Sequence, residues 1–214
     1  MKNVLFASAI VSVLGLFGSA HAADVDIQLQ SSTWDVNQVG IAGAIAVAGT
    51  PIAKADVSNI AGMASVEAND VDDITANVSV SDVNQLGIAA AVAWDWDGIA
   101  TADVTQVAGL VNIDANGLTN NSDILSMNTV VDVNQVGGSL AVGGNKAYAT
   151  TQQLAGVTVV NLDGVPSGAD VGNIGLSVND VNQIGVSIAA AGDIAKASVS
   201  NLAGVGVVSV NVAD

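Results

Sequence analysis

The sequence has no cysteine and no arginine, a single histidine, His21, and only 3% aromatic residues among 214 positions. Without cysteine the chain has neither disulfides nor a thiolate nucleophile. Without arginine it lacks the bidentate clamp for phosphate groups, and its net charge of −16 repels nucleic acid. We therefore expect neither an enzyme nor a nucleic-acid-binding protein.

The first 22 residues have the pattern of an export signal. Lys2 supplies a positive start, Val4 to Phe17 form an apolar stretch, and Ala20-His21-Ala22 resembles a cleavage site. This predicts a signal peptide at residues 1–22 and a secreted chain at residues 23–214. No later apolar run approaches the roughly 20 residues that a membrane-spanning helix needs, so we expect no transmembrane helix.

An internal repeat dominates the remaining sequence. The string Asp-Val-Asn-Gln-x-Gly occurs four times, beginning at Asp35, Asp82, Asp132 and Asp180, with spacings of 47, 50 and 48 residues. A weaker relative follows each copy, so that residues 23–214 read as one array of four units of about 48 residues, each a duplicated half-unit. One amide side chain occupies the same position in all eight half-units: Gln38, Asn59, Gln85, Gln106, Gln135, Gln153, Gln183 and Asn201.

Within a unit the residues alternate with a period of two, which is typical of β-strands. In the range 78–96 the even positions are mostly bulky and the odd positions mostly small, which predicts one bulky and one small face. Turn residues separate the half-units at 48–51, 95–98, 143–145 and 191–193, and longer polar loops separate the units at 67–73, 116–123 and 163–175. The sequence predicts an all-β repeat fold, a β-solenoid of stacked strand-turn-strand rungs.

Stacking gives the eight amides a structural role. If all half-units stack as equivalents, the amides lie about 4.8 Å apart and form one Gln/Asn ladder through eight rungs, roughly 40 Å in height. The ends of such a stack are open strand edges that invite another copy, which predicts a homopolymer. The alternative is that the amides tie strands to turns within a monomeric solenoid.

Two roles are open for the repeated aspartates, and two for the tryptophans. Asp35, Asp82, Asp132 and Asp180 are candidate Ca²⁺ ligands, or else a solvated acidic edge; no EF-hand loop accompanies them, and no other cofactor is expected. Trp34, Trp94 and Trp96 are candidates for a sugar-stacking platform, or else contacts in the core or in an assembly.

The pattern Val36-Asn37-Gln38-Val39-Gly40 and its three counterparts resemble the repeats of the curlin family of bacterial functional amyloids. The resemblance implies stacked strand-turn-strand rungs and secretion to the surface of a bacterium. It also implies polymerisation into adhesive biofilm fibres, with a nucleator or secretion protein as partner.

Three functions remain open from the sequence. The first is a self-assembling subunit of an extracellular, amyloid-type fibre used in a biofilm matrix or in adhesion. The second is a monomeric secreted β-solenoid that binds polysaccharide, ice or a cell surface. The third, an outer-membrane β-barrel with its bulky face toward lipid, is the least favoured because the sequence holds too few aromatic residues for two interfacial girdles.

Overall fold

The computed structural model describes residues 11–12, 26–47, 51–69, 73–118 and 122–212. The predicted signal peptide lies outside these residues, except for the two-residue strand β1, Val11–Ser12. The other strands are 18 to 21 residues long: β2 Asp26–Ala46, β3 Ile52–Asn69, β4 Asp73–Ala93, β5 Ile99–Asn116, β6 Asp123–Gly143, β7 Lys146–Val165, β8 Ile174–Ala191 and β9 Ile194–Val212. The all-β fold class is confirmed.

The long strands form two facing sheets. Sheet I has the order β2-β4-β6-β8, and sheet II has the order β1-β3-β5-β7-β9. Every neighbouring pair is parallel, because each strand pairs with its counterpart in the next repeat unit. Each unit therefore contributes one strand-turn-strand rung: β2 and β3 form rung 1, β4 and β5 rung 2, β6 and β7 rung 3, and β8 and β9 rung 4.

The expectation of eight stacked rungs is wrong. The two half-units of one unit do not stack on each other; they face each other from opposite sheets. The stack therefore has four rungs, about 19 Å at a spacing of 4.8 Å, and the eight amides divide into two columns of four.

The predicted turns at 95–98, 143–145 and 191–193 are confirmed, because the strands end and resume there. Residues 48–50 of the first predicted turn, and 70–72 and 119–121 of two predicted loops, lie outside the described residues. The loops predicted to start at Glu67 and Asp163 start later, because β3 continues to Asn69 and β7 continues to Val165.

The single bulky face predicted for residues 78–96 is wrong, because the alternation reverses at Asp82. Asp82 has a φ of 53°, in the left-handed region, and the parallel pairing skips it. Before Asp82 the even positions point into the core, as Val80 does; after it the odd positions do, as Val83 does. Asp35, Asp132 and Asp180 have the same conformation, so the reversal occurs in all four rungs. Asp is one of the few residue types other than Gly that tolerates this conformation.

Sheet II has its own reversal at a glycine. Gly62, Gly109, Gly156 and Gly204 have φ values of 61° to 67°. Each glycine follows the amide of its strand by three residues, whereas each left-handed aspartate precedes its amide by three. The two strands of a rung run in opposite directions. The aspartate of one strand and the glycine of the other therefore lie opposite each other, and the alternation reverses at the same place in both sheets. The half-units therefore share the amide but are not structural copies of each other.

The reversals divide the space between the sheets into two cores. On one side Val and Ile pack in a thick core that includes Ile74, Val80 and Ile113. On the other side, toward the turns, the core is narrow and consists mostly of alanine, as at Ala89, Ala91 and Ala102. The small residues predicted to allow close sheet packing do so only in this second half. Among the described residues no helix is long and apolar enough to cross a membrane.

Adjacent glycines at the start of the narrow core offer a matched test of the close approach. A Cβ on Gly137 would lie 2.6 Å from Cγ2 of Thr151, whereas a Cβ on Gly138, which faces outward, would meet nothing within 4 Å. We expect Gly137→Ala to lower the free energy of unfolding by about 1–3 kcal/mol, because the added carbon overpacks the core.

Gly138→Ala is the control and should leave the free energy of unfolding unchanged or raise it by up to about 1 kcal/mol. Urea unfolding of both variants measures the difference. Equal effects of the two substitutions would contradict the close packing at Gly137.

Candidate functional site: the amide ladders

The first ladder runs through the buried glutamines of sheet I. Nε2 of Gln85 donates to Oε1 of Gln38 at 2.7 Å, Gln135 donates to Gln85 at 2.8 Å, and Gln183 donates to Gln135 at 2.8 Å. Each glutamine thus donates to its counterpart in the preceding rung. The predicted ladder is present in this sheet.

The same glutamines also tie sheet I to sheet II. The second N–H of Gln85 donates to the backbone oxygen of Val107 at 3.0 Å, and that of Gln135 donates to the oxygen of Leu154 at 3.1 Å. Gln38 and Gln183 make the equivalent bonds in rungs 1 and 4. Both N–H groups of a buried interior glutamine are therefore satisfied, which removes the cost of burying them.

The second ladder, in sheet II, is incomplete. Gln153 donates to Oε1 of Gln106 at 2.7 Å, but the ends of this column are the shorter residues Asn59 and Asn201. Asn59 donates to the backbone oxygen of Leu86 at 3.0 Å. Oε1 of Gln153 is buried and has no hydrogen-bond partner, because Asn201 lacks the methylene that would let its amide reach this oxygen. Of the eight predicted residues, six are thus linked amide to amide, four in sheet I and two in sheet II.

The amides of sheet II link successive rungs. Gln106 of rung 2 donates to the backbone oxygen of Val136 in rung 3, and Gln153 of rung 3 donates to that of Ile184 in rung 4. The bonds that the amides of sheet I make to the backbone of sheet II stay within one rung. The two sheets are therefore offset along the stack by about half a rung, and the amides stitch each rung to the next.

A third ladder on the outside of sheet I was not predicted. Asn84 donates to Asn37 at 3.1 Å, Asn134 donates to Asn84 at 3.2 Å, and Asn182 donates to Asn134 at 3.1 Å. These residues are exposed, so water competes for the bonds and each contributes less than a buried one. The sequence pattern could have predicted this ladder, since an asparagine directly precedes the glutamine in every unit.

The four candidate Ca²⁺ ligands lie in one exposed column on sheet I, with Asp35, Asp82, Asp132 and Asp180 in successive rungs. Oδ2 of Asp82 accepts a hydrogen bond from the Ser81 hydroxyl at 3.1 Å. In the described ranges no group of three or more His, Cys, Asp or Glu side chains is arranged to hold a metal ion. What the structure assigns to these aspartates is the reversal of the strand.

The described residues contain one ion pair, on the outer face of sheet II. Nζ of Lys54 lies 3.0 Å from Oδ2 of Asp56. The hydrogen bond to Asp56 and its negative charge raise the pKa of the Lys54 ammonium. Both side chains are mostly exposed, so this pair adds little to stability.

Two of the three tryptophans lie together at the turn of rung 2. Trp94 and Trp96 are 74% and 83% exposed and border an open depression of about 410 Å³. Asp95 lies between them, and residues 142–144 of rung 3 close the other side. Trp34 is exposed elsewhere, on β2, so the three tryptophans do not form one platform.

The two ends of the stack are open. Among the described strands, β2 at one end and both β8 and β9 at the other have a neighbour on one side only, and β3 has only the two residues of β1 on its outer side. At the rung-4 end, core positions are uncovered: Val208 is 51% exposed, whereas Ile113, two rungs earlier in the same column, is 0% exposed.

No protein-family model, curated protein or solved structure matches this chain. Its function is therefore inferred from the ladders, the faces and the ends of the stack.

The buried ladder can be tested with two neighbouring positions in different environments. Gln135→Ala removes three side-chain hydrogen bonds and leaves the buried groups of Gln85, Gln183 and Leu154 unpaired. We expect the free energy of unfolding to fall by about 3 kcal/mol or more.

Gln152→Ala is the control, because Gln152 is exposed on the outer face of β7. It should change the free energy of unfolding by less than about 0.5 kcal/mol. Denaturant unfolding monitored by circular dichroism gives both values. A small effect of Gln135→Ala would contradict a structural role for the ladder.

The unsatisfied oxygen of Gln153 predicts a stabilising substitution. Asn201→Gln adds the missing methylene, and the longer amide can donate to Oε1 of Gln153 as Gln183 does to Gln135. We expect the free energy of unfolding to rise by about 1 kcal/mol. Ser200→Gln adds a similar side chain on the outer face of the same strand and should give no such gain. An unchanged midpoint for Asn201→Gln in urea would show that this oxygen is satisfied in solution.

Proposed function

We propose that this protein is a secreted structural subunit that polymerises end to end into an extracellular, amyloid-type fibre of the curlin kind, in a biofilm matrix or in surface adhesion. The observation that carries the proposal is the pair of open, matching ends of the stack. Unpaired strand edges are templates for another strand, and here each edge has the sequence pattern of the strands it already pairs with.

Addition of a second copy would continue every column in register. Its β2 would pair with β8 of the first copy, with Gln38 beside Gln183 and Gly40 beside Gly185, as in the existing pairs. Its β3 would pair with β9. Oε1 of Gln183 would then accept the bond that Oε1 of Gln135 accepts within the chain.

The offset between the sheets supports this mode of addition. β9 projects beyond β8 and leaves Val199, Val208 and Val210 partly uncovered at core positions. The next β2 would cover them from the side of sheet I, because it would lie where the following strand of that sheet belongs. Burial of this apolar surface and completion of the ladders would favour assembly together.

The end-to-end contact predicts that one substitution impairs growth more strongly than it destabilises the subunit, which circular dichroism checks. Gln183→Glu loses the donor bonds to Gln135 and Leu202, but its carboxylate stays partly hydrated in the monomer and becomes buried only beside Gln38 of an incoming copy. Because a buried unpaired charge costs several kcal/mol, we expect the concentration needed for fibres to rise at least about tenfold.

Gln152→Glu is the control, since it changes the charge equally on an exposed outer face and should assemble like the unmodified protein. The concentration left in solution, with electron microscopy and fibre diffraction near 4.8 and 10 Å, measures assembly. A protein that stays monomeric at all concentrations would overturn the proposal. Equal assembly of both variants would overturn the end-to-end contact.

A second candidate function is a monomeric binding module for polysaccharide. It is favoured by the exposed pair Trp94 and Trp96 around Asp95, because tryptophan faces stack on sugar rings and carboxylates accept their hydroxyl hydrogens. A persistent monomer whose tryptophan fluorescence responds to oligosaccharides would support this candidate instead.

A further inference from the structure

The outer face of sheet I carries an apolar surface that the end-to-end contact does not use. Beyond the outer asparagine ladder the outward positions of all four strands are apolar, and we name this surface the apolar panel. Its four columns across rungs 1 to 4 are Val39, Leu86, Val136 and Ile184; Ile41, Ile88, Gly138 and Val186; Gly43, Ala90, Leu140 and Ile188; and Ile45, Val92, Val142 and Ala190.

The apolar panel is exposed and uncharged. Ile41 and Ile45 are 73% and 78% exposed, and Ile184, Val186 and Ile188 are each more than half exposed. A contiguous apolar surface of this kind is unusual on a soluble protein and marks a contact. It is also confined to one part of the molecule, because the outward positions before the aspartate are mostly polar.

The corresponding part of the outer face of sheet II has a different character. Its first column, which starts at Ile52, is mostly apolar, but the next three columns, which start at Lys54, Asp56 and Ser58, contain neither valine nor isoleucine. Strand propensity alone would place β-branched apolar residues in these columns as well. Their absence from three of the four columns here, while all four columns of the panel are apolar, indicates that the panel makes a specific contact.

We infer that the apolar panel is the lateral interface between two stacks of this chain, which pack sheet I against sheet I to form a paired filament. The inference rests on the proposed fibre function and adds what binds the side of the stack. The partner is a second copy, for reasons of area and geometry, and the placement of the charges permits the contact.

The area of the panel fits pairing between stacks and not between isolated subunits. Four columns about 6.6 Å apart and four rungs about 4.8 Å apart cover about 500 Å² per subunit, or about 1,000 Å² for two facing subunits. That is at the lower limit for a specific interface, where the standard size is about 1,600 Å². Each further copy added to the stacks extends the same interface, so that two subunits per stack already reach about 2,000 Å².

The placement of the charges permits pairing with a second copy despite the repulsion between chains of net charge −16. The acidic column of Asp35, Asp82, Asp132 and Asp180 lies outside the panel, separated from it by the outer asparagine ladder. A two-fold axis parallel to the stack reverses the strand direction of the facing sheet and places the two acidic columns at opposite edges of the contact. Two stacks can thus bury their panels without bringing these columns together.

The panels of two stacks also match each other in geometry. Both partners have the same rung spacing, so bulky side chains such as Ile88 and Leu140 on one stack can lie between the rungs of the other along its whole length. Two apolar sheet faces packed in this way form the dry interface found in paired cross-β sheets.

The test is the mass per length of the filaments, measured by scanning transmission electron microscopy. The full chain weighs 21.0 kDa, and removal of the predicted signal peptide leaves about 19 kDa per four rungs. This gives about 10 kDa per nm for a single stack and about 20 kDa per nm for a pair. We expect about 20 kDa per nm for the unmodified protein. We expect about 10 kDa per nm for Ile41→Lys with Val186→Lys, because lysines in the panel would be buried without partners.

Ser32→Lys with Ser177→Lys is the control. These serines face outward on the same two strands, β2 and β8, but before the aspartate and outside the panel. The control should keep about 20 kDa per nm, and circular dichroism should show that both double variants remain folded.

The outcomes separate this inference from the proposed function. Unmodified filaments of about 10 kDa per nm would overturn the lateral contact and leave the end-to-end fibre standing, with the panel free for a surface of other chemistry. Loss of pairing in the serine control as well would overturn the assignment to the panel. Absence of filaments from the unmodified protein would overturn both.

Discussion

Every residue of the stack is constrained by having its own counterpart about 4.8 Å away in the next rung, because the parallel strands pair in register over nearly their whole length. Each column must therefore hold a residue type that tolerates an equivalent residue beside it. Glutamine satisfies this condition best among polar residues, since its amide both donates and accepts along the column. Alanine and glycine satisfy it by leaving room, and aspartate satisfies it only at the surface, where water separates the charges. The sequence repeat is the consequence of this constraint.

The strands, the four units and the amide columns could be predicted because each rests on a local and repeated pattern. The number of rungs could not be predicted in this way. An amide at the same place in both half-units is equally consistent with half-units that stack on each other and with half-units that face each other. The two half-units differ in the position of the residue with positive φ. In the first half-unit it is Asp82, before Gln85, and in the second it is Gly109, after Gln106.

The reversal at Asp82 does not follow from period-two alternation for a different reason. Strict alternation places Val80 and Val83 on opposite faces, whereas both are buried. The sequence does contain a sign of the reversal. In all four units the alternation of apolar and polar positions shifts by one residue at an aspartate, a residue type that tolerates positive φ. This one backbone conformation decides which face of the later half-strand is buried. It thereby places alanine inside, and valine and isoleucine on the apolar panel outside.

The direction of the ladder bonds gives the stack an electrical polarity. Gln85, Asn84 and Gln153 each donate toward the preceding rung, so the amide dipoles of all three ladders point the same way. The backbone dipoles of neighbouring strand residues largely cancel, and the side-chain amides therefore set the net moment along the axis. Aligned amides polarise one another, so each added rung strengthens the bonds of those already in place. The rung-4 end consequently carries partial negative charge and the rung-1 end partial positive charge, which makes the two ends chemically different.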